Sequence, residues 1–358
     1  MKSYLAVLLG FYSVSTAFAA PLEIHKPWQN ISDPLIMSAS FVRKLSYLPL
    51  MATVRDDKKY WSSDYWPLKK GNINYRWNSS RPQGFNLKSP TKFEAERMNY
   101  GELSELAPSE KYDLFTGRYD YPLRKKVETQ VSPDREIWEG ICHGWAPAMV
   151  NHNEPTPKVV MNPHGIEVPF GSADIKALLS YYYAFDHPAS ANHQLGRRCY
   201  NEWWRWWDRE DCKDDMNAGA FHIVLSNRVG LLGMSFMADI EHGKEVWNHV
   251  PYSYKSTVVN SDLPPARDAA AGTVKGIQLR TEVSYVFSPE KNSWEPVLGT
   301  SGQVLKKRVY EYILDLDADD NIIGGDWVSK ARPDFLWLIK KTPAFEGTLS
   351  RLPELLDD

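Results

Sequence analysis

The chain has 358 residues and a formal net charge of −3, room for one large domain or two modest ones. No Lys/Arg block or basic face stands out, which argues against a nucleic-acid partner. The unusual count is 14 Trp; such large apolar bodies with one donor each suit either aromatic-lined clefts or a Trp-rich core.

Met1-Lys2, the apolar run from Tyr4 to Val14 and Ala17-Phe18-Ala19 form the pattern of a secretory signal peptide. It predicts a leader over 1–19, cleavage near Ala19-Ala20 and a secreted product. The apolar run is short for a bilayer span. Residues 20–130 follow as a helical region. Ser32-Asp33 is expected to cap a helix from Leu35 to Leu48, a loop dense in aromatics and Lys runs from Lys58 to Pro90, and Thr91 to Leu106 reads as helical. The region holds no catalytic spacing. It is either the first lobe of an enzyme or a pro-segment over its active site, with Arg124-Lys125-Lys126 the best cleavage candidate. Asn30-Ile31-Ser32 and Asn78-Ser79-Ser80 would accept glycans in a eukaryotic source.

A catalytic domain is expected over 131–345 and a tail over 346–358. Ile137 to Val150 reads as a Gly-containing turn running into a helix that begins at Cys142. Lys158 to Met161 and Ile166 to Phe170 flank a turn as two short strands, and Ser172 is placed to cap a helix over Ala173 to Phe185. Strands are expected at Ala220 to Ser226, Gly233 to Ile240, Val246 to Val259, Gly276 to Phe287, Lys307 to Leu316 and Asn321 to Ser329. Helices first and strands afterwards make an α+β fold.

Three cysteines are an odd count for an exported chain. Cys199 and Cys212 are close enough in sequence to close a loop, worth about 3 kcal/mol, which leaves Cys142 free. It sits in Trp138-Glu139-Gly140-Ile141-Cys142-His143-Gly144-Trp145-Ala146. A helix N-terminus supplies free N–H donors and the positive dipole end that favour a thiolate. Gly140 and Gly144 would let a substrate backbone approach, and the Cys142 N–H could meet a developing oxyanion. For the base, the expected strand holding His222 would return through a turn near Gly230 as the strand holding Asp239. That hairpin would let Asp239 orient the imidazole. His143 and His242 are the rival bases. Cys on a helix with His and Asp on adjacent strands is the layout of papain-like and transglutaminase-like enzymes. Trp145 and the run Trp203-Trp204-Arg205-Trp206-Trp207 would line the cleft or fill the core. Asp315-Leu316-Asp317-Ala318-Asp319-Asp320-Asn321-Ile322 echoes an acidic calcium loop, but reads better as a hairpin turn because Gly and Glu are missing at its sixth and twelfth positions.

Gly140 to Ala146, Gly219 to His222, Asp239 to Lys255, Ile322 to Trp327 and Arg332 to Trp337 together resemble the transglutaminase elicitor family, secreted acyltransferases of oomycetes with bacterial relatives. The most telling stretch is Glu245-Val246-Trp247-Asn248-His249-Val250-Pro251-Tyr252-Ser253-Tyr254-Lys255. It is similar to the family's surface elicitor peptide, with His249-Val250-Pro251 in place of Gln-Pro-Val and Tyr252-Ser253 in place of Arg-Gly. The resemblance implies a papain-like fold and glutamine γ-glutamyltransferase activity linked to calcium. It also implies glutamine- and lysine-bearing protein substrates, with Cys142, His222 and Asp239 catalytic and Gly144, Trp145, Trp203 and Trp247 at the substrate. A cysteine peptidase with the same triad and a non-enzymatic Trp-rich binding protein or elicitor remain the alternatives.

Overall fold

A computed structural model describes residues 28, 30–57, 60–187, 192–198, 216–339 and 344–357. The expected leader, Trp203 with its neighbouring Trp residues, and the Cys199–Cys212 pairing lie outside the described residues.

The helix expected over Leu35 to Leu48 is replaced by 3-10 turns at Pro34–Ile36 and Leu45–Tyr47, followed by strand β1 (Met51–Thr53). Long-range bonds override the local preference. The N–H and carbonyl of Val42 are both taken by the side-chain amide of Asn227, each at 2.7 Å, so neither serves a helix. The stretch Thr91 to Leu106 is broken into α1 (Lys92–Ala95) and α2 (Tyr100–Ser104). Thr91 with Glu94 and Asn99 with Glu102 each form a capping box, so two helix starts fall close together. Next come α3 (Pro108–Phe115), α4 (Pro122–Glu128) and α5 (Cys142–Asn151), then the hairpin β2 (Lys158–Met161) and β3 (Glu167–Phe170), which matches expectation. Helix α6 (Ser172–Tyr181) continues as a π-turn to Asp186.

The remaining elements are β4 (Asn192–Gly196), α7 (Ala218–Leu225), β5 (Met237–Asp239), β6 (Asn248–Leu263), β7 (Lys275–Phe287), β8 (Val304–Leu316), β9 (Ile322–Trp327) and β10 (Phe335–Ile339). One sheet runs β4-β10-β5-β6-β7-β8-β9, with β1 also pairing β6; every pairing is antiparallel. Strands β7 and β8 are long because their residues alternate. Leu279, Thr281, Val283 and Tyr285 face the core, while Arg280 and Glu282 face out and pair with Glu311 and Lys307.

The segment Ala220 to Ser226, expected as a strand, is instead most of helix α7. Asn217 caps it by accepting the N–H groups of Gly219 and Ala220. All eight residues of α7 are buried, and a short run that is apolar but for His222 shows no period that separates helix from strand. The helix lies against β8 and β9. A Cβ on Gly219 would fall 2.2 Å from the Gly324 carbonyl oxygen, and the Phe221 ring packs on Tyr310, Tyr312 and Trp327.

The N-terminal region shares this core. Lys111 of α3 and Asp174 of α6 form an ion pair at 2.7 Å with both side chains fully buried. Asp174 also accepts from the Trp77 indole and the Gly171 N–H at 2.8 Å each. Arg76 grips Glu110 with two bonds. Breaking a buried pair from one side leaves a charge uncompensated, which costs about 3–5 kcal/mol. Lys111→Met should therefore lower unfolding free energy by about that amount in a urea titration; a loss below about 1 kcal/mol would show that the pair does not hold the two regions together.

Candidate active site

Cys142 is the first residue of α5, and 3% of its surface is exposed. Its seat is set by backbone contacts. The Ile141 N–H donates to the Tyr65 carbonyl at 2.7 Å, and Gly140 lies so near Tyr65 that a Cβ would sit 2.5 Å from the Tyr65 ring. On the other side of the helix a Cβ on Gly144 would meet the Ser180 carbonyl oxygen at 1.9 Å. Both glycines are thus explained by packing, which corrects the expectation that they admit a substrate. Trp145 is likewise fully buried, with its indole N–H on the Trp61 carbonyl at 3.3 Å; it is core rather than cleft wall.

The sulfur faces the start of β6. The thiol lies 3.5 Å from the Val246 carbonyl, and the side-chain amide nitrogen of Asn248 is 3.9 Å from Sγ. Burial pushes the Cys142 thiol up to about 11; the Asn248 and His143 N–H groups pull the other way. Half-buried Tyr65 and Trp247 meet edge to face at 5.3 Å beside it. Trp247 is thus placed near the thiol, while Asn248 to Pro251 are buried in the middle of the sheet. The middle of the stretch likened to a surface peptide is therefore interior in this chain, while Glu245 and Lys255 at its ends are exposed.

Asp239 ends β5 directly opposite Asn248. Its Oδ1 accepts the Trp247 N–H at 2.8 Å, and its buried Oδ2 has no hydrogen-bond partner among the described residues. Burial raises its carboxyl to about 8, with Asp334 adding to the effect. Its charge in turn raises the Cys142 thiol. Cys142 and Asp239 both neighbour Asn248, which sequence reasoning did not place in the site: it pairs with Asp239 across the strands, and its amide nitrogen is 3.9 Å from Sγ. The signal that could have found it is its position next to Trp247 in the family-like stretch.

His222 is not brought there. It lies within α7 rather than on a strand, and β5 pairs with β6 and β10, so the expected hairpin with Asp239 does not form. Its Nδ1 is 2.8 Å from the Tyr312 hydroxyl, which continues to Thr281 at 2.7 Å. No hydrogen bond joins the ring to Cys142 or Asp239, and burial alone lowers it to about 4.

The acidic stretch at Asp317 is the β8–β9 hairpin turn. The Asp317 carboxylate accepts the N–H groups of Asp319 and Asn321 at 2.9 Å, so it is engaged in the turn itself. Among the described residues no group of three or more His, Cys, Asp or Glu is placed to hold a metal. These residues do not fit a calcium site, and no step is derived through one.

A sequence model of the transglutaminase elicitor family matches residues 133–351, more than half of the chain. The fold is similar to the crystal structure of the GP42 transglutaminase from Phytophthora sojae, with TM-score 0.66 and 22% identity over 91% of this chain and 96% of that one. No curated protein matches the chain. Among the described residues no helix is long and apolar enough to cross a membrane.

Two pH dependences follow. His222 stays neutral when folded down to about 4, while the unfolded imidazole takes a proton near 6.5. Stability should fall by about 1.4 kcal/mol per pH unit across that window, and His222→Gln should remove this slope in unfolding curves; an unchanged slope would place the proton uptake elsewhere. Asp239, raised from 3.8 to about 8, costs stability as pH rises through that range, because only the folded carboxyl keeps its proton. Asp239→Asn should therefore stabilise at pH 8 and alkylate Cys142 with iodoacetamide at a lower pH midpoint than the parent. A higher midpoint would mean that the Asp239 charge supports the thiolate.

Proposed function

Since the chain belongs to the transglutaminase elicitor family, we propose that it is an exported acyltransferase of papain-like design that joins a protein glutamine carboxamide to a lysine amine, with Cys142 as nucleophile. The observation that carries the reading is the seat of Cys142: first residue of a helix, with the Asn248 and His143 N–H groups directed at its sulfur. Such donors and the helix dipole favour the thiolate. Export rests on the leader-like pattern at residues 1–19.

The reaction would run in two halves. Sγ attacks the carboxamide carbon, the C–S bond forms and the carbonyl electron pair moves onto oxygen. Collapse restores the C=O and breaks the C–N bond, and nitrogen leaves with the thiol proton as ammonia. A neutral primary amine then attacks the thioester, the C–S bond breaks and the amine proton returns to sulfur. In the resting state the thiol is covered and protonated, so parting of Tyr65 and Trp247 is the natural way in. The reading leaves His222 to the core, because its hydrogen bond goes to Tyr312. Asp239 is the titratable group whose charge reaches the thiol.

Cys142→Ala should lower incorporation of a labelled primary amine into a glutamine donor by at least about 1,000-fold, with an unchanged melting curve. Retained incorporation would remove the nucleophile, and chain scission in place of incorporation by the parent would make the protein a peptidase.

A further inference from the structure

Resting on the acyl-transfer reading, we propose that Asn248 is a catalytic residue whose side-chain amide, together with the Cys142 N–H, binds the oxyanion that forms when Cys142 attacks. Three observations converge on it. The amide nitrogen lies 3.9 Å from Sγ. That is too long for a strong bond to sulfur, but it is a suitable reach for an oxygen on the carbon bonded to that sulfur. The amide is not free to turn: its Oδ1 accepts the Trp337 indole N–H at 2.7 Å. An indole N–H can only donate, so the oxygen must face Trp337 and the NH2 must face the thiol. The side chain is also buried, with 2% of its surface exposed, where a preoriented donor acts most strongly.

Asn248 also borders space that a substrate group could enter, next to His143, the residue after Cys142. A cavity of about 200 Å³ is bordered by Asn248, His143, Tyr183, Phe335, Trp337 and Ile339. Among the described residues that line it there is no carboxylate, lysine or arginine, which suits a neutral group such as a carboxamide. A second donor is at hand. The N–H of a residue in the first turn of a helix has no acceptor within that helix, and Cys142 opens α5. In the first half-reaction the C–S bond forms and the carbonyl pair moves to oxygen, where the Asn248 Nδ2–H and the Cys142 N–H receive it. On collapse the pair returns, the C–N bond breaks and both donors are released unchanged.

The test compares two reactions of one thiol. Acyl transfer builds an oxyanion, whereas alkylation by iodoacetamide displaces iodide at a saturated carbon and builds none. Asn248→Ala and the isosteric Asn248→Asp should lower kcat for amine incorporation by about 100-fold, with KM within about threefold. The alkylation rate at its high-pH plateau should stay within about threefold of the parent. The burst of 4-nitrophenol from 4-nitrophenyl acetate, which acylates a thiol without needing a carboxamide, should fall with kcat. Trp337→Phe keeps the ring but releases the amide, and should cost about tenfold in kcat with the plateau preserved; it decides the matter if the Asn248 variants do not fold. Turnover and burst equal to the parent would overturn the assignment, as would a plateau that falls as far as kcat, since Asn248 would then only shape access to sulfur. A parent that acylates from the ester but incorporates no amine sinks the transferase reading alone, and the burst still judges Asn248.

Discussion

The bond from the Ile141 N–H to the Tyr65 carbonyl decides where Cys142 sits. It places the helix start against a segment some 75 residues earlier in the chain, and Gly140 is the residue that lets the two backbones close to that distance. Gly144 does the same on the far side, against Ser180 of α6. The thiol is thus held between two unyielding backbone contacts. Its direction toward β6 follows from them rather than from any preference of the cysteine itself. A close-packed interior transmits such constraints because it has no slack to absorb them.

The same logic makes the N-terminal region part of the seat of Cys142. It supplies Tyr65, which both receives the Ile141 N–H and meets Trp247 beside the thiol. It is anchored by the buried Lys111–Asp174 pair and the two-pronged Arg76–Glu110 contact. Charges are buried in this manner only when paired and hydrogen-bonded. The Asp174 carboxylate, with an ammonium, an indole and a backbone N–H around it, meets that condition. The described residues of the N-terminal region thus pack into the same core as the residues around Cys142.

The electrostatics of the site favour neutral groups. Cys142 and Asp239 are each raised chiefly by burial, and each prefers its neutral form. Two acids that share a dry site cannot both ionise cheaply. Admission of water or substrate past Tyr65 and Trp247 would remove the main cause of both shifts at once. What would then favour the thiolate, the N–H groups of Asn248 and His143, is already in position.

The sequence by itself determined the long strands β6 to β8, because alternation over many residues is a local signal. It also determined the β2–β3 hairpin, the helix beginning at Cys142 and the family, which its scattered motifs carry. Its expected hairpin set Asp239 beside His222, whereas the fold sets Asp239 beside Asn248. Ala218 to Leu225 is apolar except for His222, so its sequence has no period to distinguish helix from strand. Only Asn217 capping and the Gly219–Gly324 contact decide for helix. Once it is a helix, His222 turns to Tyr312. The partner of Asp239 was set by strand order, which brings β6 beside β5 and so Asn248 beside both the carboxylate and the thiol. That order depends on contacts between residues far apart in the chain, and no local pattern records it.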